Sequence, residues 1–160
     1  MSTITQLIKP PFSIGENQNR YEIIYADPRN EEIHLQILEK AQLNAHMARW
    51  FLDLEYNHLL WYNGVYEILE IDSKKSGASY DIFLEIIHPE DRAIKEEAQK
   101  ALFETRKPME ITYRLQMNDG RIKWINEICS ADFDQNENPI RIHGIIQDIT
   151  GYKRSEKKFL

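Results

Sequence analysis

His88-Pro89-Glu90-Asp91-Arg92 places an imidazole, two carboxylates and a guanidinium in one short run. These groups are the raw material of general acid–base catalysis. Their order argues for another task. Histidine stands where a helix N-cap would fall, proline at the first helical position, and the two acids in the first turn. Such a segment is a helix start that satisfies its own backbone and dipole. Arg92 is then placed to pair with a nearby acid. His34, His46, His58, His88 and His143 form no His-x-x-x-His pair and none sits near Cys129, so no metal-ligand spacing results. Cys129 is the single cysteine, which excludes an internal disulfide and a cysteine metal cluster. No catalytic residue and no metal ligand is assigned. Asp148-Ile149-Thr150 offers a different chemistry, a carboxylate acceptor and a good N-cap type just ahead of a basic segment from Lys153 to Lys158.

The elements that position these groups follow from periodicity. Met109, Ile111, Tyr113, Leu115 and Met117 alternate with Glu110, Thr112, Arg114 and Gln116, the pattern of a half-buried strand. Asn118-Asp119-Gly120 turns the chain, because Asp-Gly tolerates the positive φ of a tight hairpin. Ile122, Trp124, Ile125 and Ile128 continue as the partner strand. A polar loop over 134–139 leads to a third strand over 140–149, which runs into a charged helix. Upstream, the spacing predicts a strand over 47–55, a tight turn at Tyr56-Asn57, a strand over 58–62 and a short helix over 63–70. The Ser-, Lys- and Gly-bearing stretch 72–79 reads as a mobile loop. A helical turn over 80–87 precedes a long helix from Pro89 to Thr105, with Ile94, Ala98, Ala101 and Leu102 on one face.

Residues 1–26 form a leader of unclear structure, in which Tyr21 to Tyr25 suit a short strand. A helix over 27–46 follows, opened by Asp27-Pro28 and carrying Glu31 and Glu32 in its first turn. Its stripe of Ile33, Ile37, Leu38, Ala41 and Ala45 is widened by Leu35 and Leu43. With 160 residues and 42% hydrophobic composition, the chain supports one domain plus some extension. A net charge of −6 argues against nucleic-acid binding. No apolar run approaches the roughly 20 residues that span a bilayer, and no signal peptide is visible. A cytoplasmic protein, or the cytoplasmic portion of a membrane-bound receptor, is expected.

Tyr113-Arg114, Asp119-Gly120, Trp124-Ile125, Gly144-Ile145, Asp148-Ile149-Thr150, Lys153 and Glu156 stand in one ordered series. Upstream of them stand Trp50 to Leu54, Trp61, Tyr66 to Leu69 and His88 to Arg92. Over about residues 47–156 this series resembles a PAS domain carrying the PAC motif, a sensory module of bacterial signalling proteins. The resemblance implies an α+β PAS fold: a five-stranded antiparallel sheet with helices on one face, an N-terminal cap helix and a C-terminal exit helix. The organisation expected is a leader over 1–26, a cap helix over 27–46, the PAS domain over 47–150 and the start of a signalling helix over 151–160. Three positions depart from the family pattern. Leu52 stands where a second Trp is frequent, Gly151 where Glu is usual, and Glu70 where Gly is frequent.

The resemblance also frames the function. Asp148, Thr150 and Gly151 are expected to relay a change from the sheet to the exit helix. Leu52, Tyr66, Phe83, Tyr113 and Trp124 are expected to line a pocket for a small-molecule ligand. The cofactor is left unknown. A haem site of the family's histidine type is disfavoured because residues 90–105 hold no histidine. A flavin adduct is disfavoured because the family's N-C-R-F-L-Q type motif is absent, and Cys129 reads as a buried small hydrophobe. The expected partners are a second copy, through the N-terminal and exit helices, and an effector C-terminal to residue 160. A histidine kinase is the first candidate effector and a diguanylate cyclase the next. No nucleic acid and no direct membrane insertion are expected. A ligand-free interaction adaptor of the same fold is the alternative. A small enzyme with His88 or His143 as base ranks last, since no second catalytic group is placed beside either.

Overall fold

The computed structural model describes residues 28–158. The leader, the strand expected at 21–25, the Asp27 cap and the final Phe159-Leu160 lie outside the described residues. The chain divides into two compact units at Glu39/Lys40. Helix α1, Pro28–Asn44, begins in the first unit. Its apolar residues Ile33, Leu35, Ile37 and Leu38 are exposed.

The second unit holds strand β1 (Met47–Asp53), β2 (His58–Trp61), α2 (Asn63–Leu69), α3 (Tyr80–Ile86), a 3-10 turn (Pro89–Asp91) and α4 (Arg92–Thr105). Then come β3 (Met109–Gln116), β4 (Ile122–Phe133), β5 (Pro139–Asp148) and the exit helix α5 (Thr150–Glu156). The strands form one antiparallel sheet in the order β2-β1-β5-β4-β3, so the first and last strands meet near its middle. Long helical excursions between β2 and β3 make this closure possible.

Strand periodicity decides which side chains meet. Ala48, Trp50 and Leu52 face inward from β1, across from Ile146, Gly144 and Ile142 of β5. Glu127 and Cys129 of β4 pair in turn with Ile146 and Gly144. Helices α2 and α4 cover this face with Val65, Ile68, Leu69, Ala98 and Leu102. Gly144 is required by a close approach: a Cβ there would stand 2.8 Å from both the Ile128 carbonyl oxygen and the Trp50 indole nitrogen. The indole fills the space a side chain would need. In the β3–β4 hairpin Gly120 takes φ 83°, the left-handed geometry expected of that turn. Glu70, at the position where glycine is frequent, also ends α2 in the left-handed region at φ 56°. Its carboxylate is held by Arg121 at 2.7 and 3.1 Å and by Lys123 at 2.9 Å.

Three details differ from the sequence reading. Trp124 and Ile125 are adjacent, so period two places only one of them inside. Ile125 is buried with Glu127 and Cys129, while Ile128 is exposed on the outer face. The long helix starts with a 3-10 turn, and its buried face carries Lys95, Ala98 and Leu102 with Ile94 left exposed. Among the described residues Arg92 pairs with no acid; it donates to the carbonyls of Ile87 and Glu85, both at 3.3 Å.

The acid at this turn is claimed by Arg114 instead. Asp91, 6% exposed, accepts from the Arg114 backbone N–H at 2.8 Å and from its guanidinium at 2.7 and 2.9 Å. The His88 N–H donates to the Arg114 carbonyl at 2.9 Å, which ties the turn to β3. His88 itself caps the turn, its Nδ1 accepting from the Glu90 N–H. The guanidinium beside Asp91 holds its carboxyl below the ordinary value of 3.8, against the opposing effect of burial. A depressed carboxylate stabilises the fold above its unfolded pKa and loses that contribution as pH falls through its folded pKa. Asp91→Asn is therefore expected to lower stability by about 1–3 kcal/mol at neutral pH. The gap between variant and parent should narrow progressively as pH falls below 3.8 toward the depressed folded pKa, as urea unfolding at pH 7 and at a series of lower pH values will show.

Candidate functional site

A cavity of about 570 Å³ lies between the inner sheet face and helices α3 and α4. Trp50, Leu52, Trp61, Phe83, Leu102 and Ile142 provide apolar and aromatic walls. The exposed residues His58, Tyr80 and Asp81 mark its opening, where the Tyr80 hydroxyl donates to Gln99 Oε1 at 3.2 Å. Volume and lining suit a small organic ligand with a few fixed polar contacts.

Lys95 and Glu127 supply those contacts. Lys95 Nζ donates to both Glu127 oxygens, at 2.6 and 2.7 Å. Their side chains are only 8% and 1% exposed, and both line the cavity. The ammonium also stands 5.3 Å from the Trp50 ring centre and 5.6 Å from that of Phe83, within cation–π range. Lys95 is placed one turn beyond the anchored Asp91, on the face of Ala98 and Leu102. Glu127 is placed by strict alternation between Ile125 and Cys129.

Tyr113 lies fully buried beside this pair, and its hydroxyl completes no hydrogen bond. Burial first, and then the Glu127 charge, push the phenol well above its ordinary value of 10.0. It stays a neutral donor. The Cys129 thiol lines the same cavity, raised from 9.0 by burial and by Glu127, with Lys95 opposing. A thiol held protonated is a poor nucleophile.

Of the expected pocket residues, Leu52 and Phe83 line the cavity. Tyr66 packs edge-on against Trp61, 5.4 Å between ring centres. Tyr113 sits in the core with Phe83 against it at 6.2 Å, edge to face. Neither tyrosine belongs to the cavity wall. Trp124 is on the opposite face of the sheet, paired with Arg114 across the β3–β4 ladder. Its indole has the Arg114 and Lys153 cations 5.9 Å away. The sequence reading assigns no role to Lys95 or Glu127. The available signal was that each stands at a position its own element's period buries.

The junction residues lie beside the start of β4. The Asp148 carboxylate accepts from the Thr150 N–H at 2.9 Å and from its hydroxyl at 2.5 Å. Thr150 Oγ1 accepts from the Trp124 N–H at 2.9 Å. The Ile149 N–H donates to the Trp124 carbonyl at 2.8 Å, and the Asp148 N–H to the His46 carbonyl at 2.9 Å. Ile149 is the N-cap of α5 and offers no side-chain bond; Asp148, one residue earlier, accepts from the Thr150 N–H, while the Thr150 hydroxyl reaches across to β4. Gly151 has open space where a Cβ would stand and no left-handed geometry, so nothing local requires glycine there. Among the described residues no cluster of three His, Cys, Asp or Glu groups is arranged to hold a metal, and no helix is long and apolar enough to cross a membrane.

Sheet order, overlying helices, cavity and junction together define an α+β sensory fold of the PAS type. The PAS fold family matches residues 58–146, and the chain belongs to it. The chain is 24% identical over 129 residues to the probable diguanylate cyclase DgcE of Escherichia coli. That match covers 79% of this chain but 12% of the cyclase. A sensory box histidine kinase/response regulator from Burkholderia thailandensis superposes with a TM-score of 0.64 at 25% identity, over 76% of this chain and 91% of that one. The N-terminal domain of a diguanylate cyclase with PAS/PAC sensor from Marinobacter aquaeolei gives 0.58 at 18% identity, over 67% and 98%.

The buried pair sets a clear stability test. Glu127→Leu leaves an unpaired ammonium in the interior and is expected to destabilise the protein by about 3–5 kcal/mol. The double variant Lys95→Met/Glu127→Leu should recover most of that loss, because no charge is then left buried. Chemical denaturation of the parent and the two variants at neutral pH measures both.

Proposed function

We propose that the chain is the input module of a signal-transduction protein. It passes a change in cavity occupancy or partner contact through Asp148, Thr150 and Gly151 to an effector C-terminal to residue 160. A histidine kinase is the first effector and a diguanylate cyclase the second, in keeping with the proteins the chain is similar to. The module performs no chemistry of its own in this reading.

The carrying observation is that β4 touches both ends of the path. Glu127 holds the cavity pair, and Trp124, three residues earlier, is hydrogen-bonded through its backbone to Ile149 and Thr150. A ligand that favours one of two positions of β4 therefore biases the first turn of α5. Two copies associate in this reading through the N-terminal and exit helices, where Ile33, Ile37 and Tyr152 are exposed.

The relay is tested in the parent protein with Asp148→Ala and Thr150→Val. Both are expected to abolish the stimulus-dependent change in autophosphorylation or cyclic-di-GMP synthesis while leaving the module's circular dichroism intact. Unchanged output from both would sink the relay. Gly151→Ala is expected to strengthen the exit helix by about 0.5–1 kcal/mol. Slower amide exchange over residues 150–156 would report it.

A further inference from the structure

We infer that the cavity takes a net-neutral aromatic molecule bearing one carboxamide-type edge, whose N–H is read by Glu127 and whose C=O is read by Lys95. The inference rests on the reading of this cavity as the input site. It names the ligand chemistry that the buried pair selects.

The ligand's body follows from the walls. Trp50, Trp61 and Phe83 present aromatic surface, and Leu52, Leu102 and Ile142 complete it. A space of about 570 Å³ accommodates a bicyclic ring with a short side chain. The head group follows from charge. Lys95 and Glu127 together are net neutral, and both are nearly withdrawn from solvent. A carboxylate ligand would stand against Glu127, and an ammonium ligand against Lys95. Each brings an uncompensated charge into a site that screens it poorly.

A carboxamide brings no net charge and matches both partners at once. Lys95 carries three donors and Glu127 about four acceptor positions, so their mutual bonds leave capacity on each. Tyr113 supplies the remaining piece. Its unpartnered hydroxyl, fully buried beside Glu127, gives the carboxylate a donor to turn to when a ligand takes part of Lys95. Occupancy then shifts Glu127, and with it β4.

The test is calorimetric titration of the 160-residue protein with indole-3-acetamide, indole-3-acetate and tryptamine, which share one ring and differ in head-group charge. The amide is expected to bind at least about tenfold more tightly than the acid or the amine. In Lys95→Met/Glu127→Leu this preference should vanish, because the wall no longer reads a donor beside an acceptor. Leu52→Trp, which places bulk in the cavity, should abolish amide binding with the fold retained. It keeps the proposal testable if the double variant does not fold. The proposal is overturned if the acid or amine binds as well as the amide, or if the amide gives no binding at millimolar concentration. It is also overturned if the amide still binds Leu52→Trp. The titration reads occupancy alone, so its failure is distinct from a failure of the relay, which is read in effector output.

Discussion

The Lys95–Glu127 ion pair is the contact on which the cavity depends. It joins the first turn of α4 to the middle of β4. Two buried charges at 2.6 Å attract strongly in an interior that screens them poorly, and each satisfies much of the other's hydrogen-bonding demand. A pair of this kind contributes little net stability relative to well-packed hydrocarbon, but it strongly disfavours any arrangement that separates the two groups. The pair therefore holds α4 at a set height above the sheet without filling the space beside it. Trp50 and Phe83 shelter the ammonium and become walls of the same space.

Two further hydrogen-bonded anchors make that height reproducible. Asp91 and Arg114 fasten the start of α4 to β3. Asp148 and Thr150 fasten the start of α5 to β4. All three polar clusters involve β3 or β4, and the apolar core between them is continuous from Ile87 through Tyr113 and Ile125 to Ile146. Strand β4 consequently carries the ion pair on its inner face and, near its start, main-chain hydrogen bonds to the exit-helix junction.

Much of the fold is legible in the sequence. Strict alternation from Met109 to Met117 marked β3, and Asp119-Gly120 marked its hairpin. The His88-Pro89 start announced the turn ahead of α4, and the ordered motifs carried the strand count and the sheet. The site was less legible. Trp124 is expected at the pocket as one of the chain's aromatics, yet it alternates with the buried Ile125 and so faces the other side of the sheet. Tyr113 and Tyr66 were read with the pocket because aromatic side chains both line and fill interiors. Type alone does not separate those tasks. Asp148 is legible as an acceptor at the start of α5 and Thr150 as a cap type; the structure keeps the first, but it places Thr150 at the first helical position, where its hydroxyl bonds to the neighbouring strand.

By itself the sequence determined local periodicity, turn chemistry, the helix starts and the family, since each depends on residues close together in the chain or on a set of motifs in order. Tertiary structure alone decided that Lys95 meets Glu127, that Asp91 belongs to Arg114 rather than Arg92, and that the space beside Leu52 stays open. Those outcomes depend on how far α4 stands from β4 and on which neighbour reaches a buried charge first. Such distances are set by the whole packed sheet and helix layer, between residues 23 and 32 positions apart in the chain.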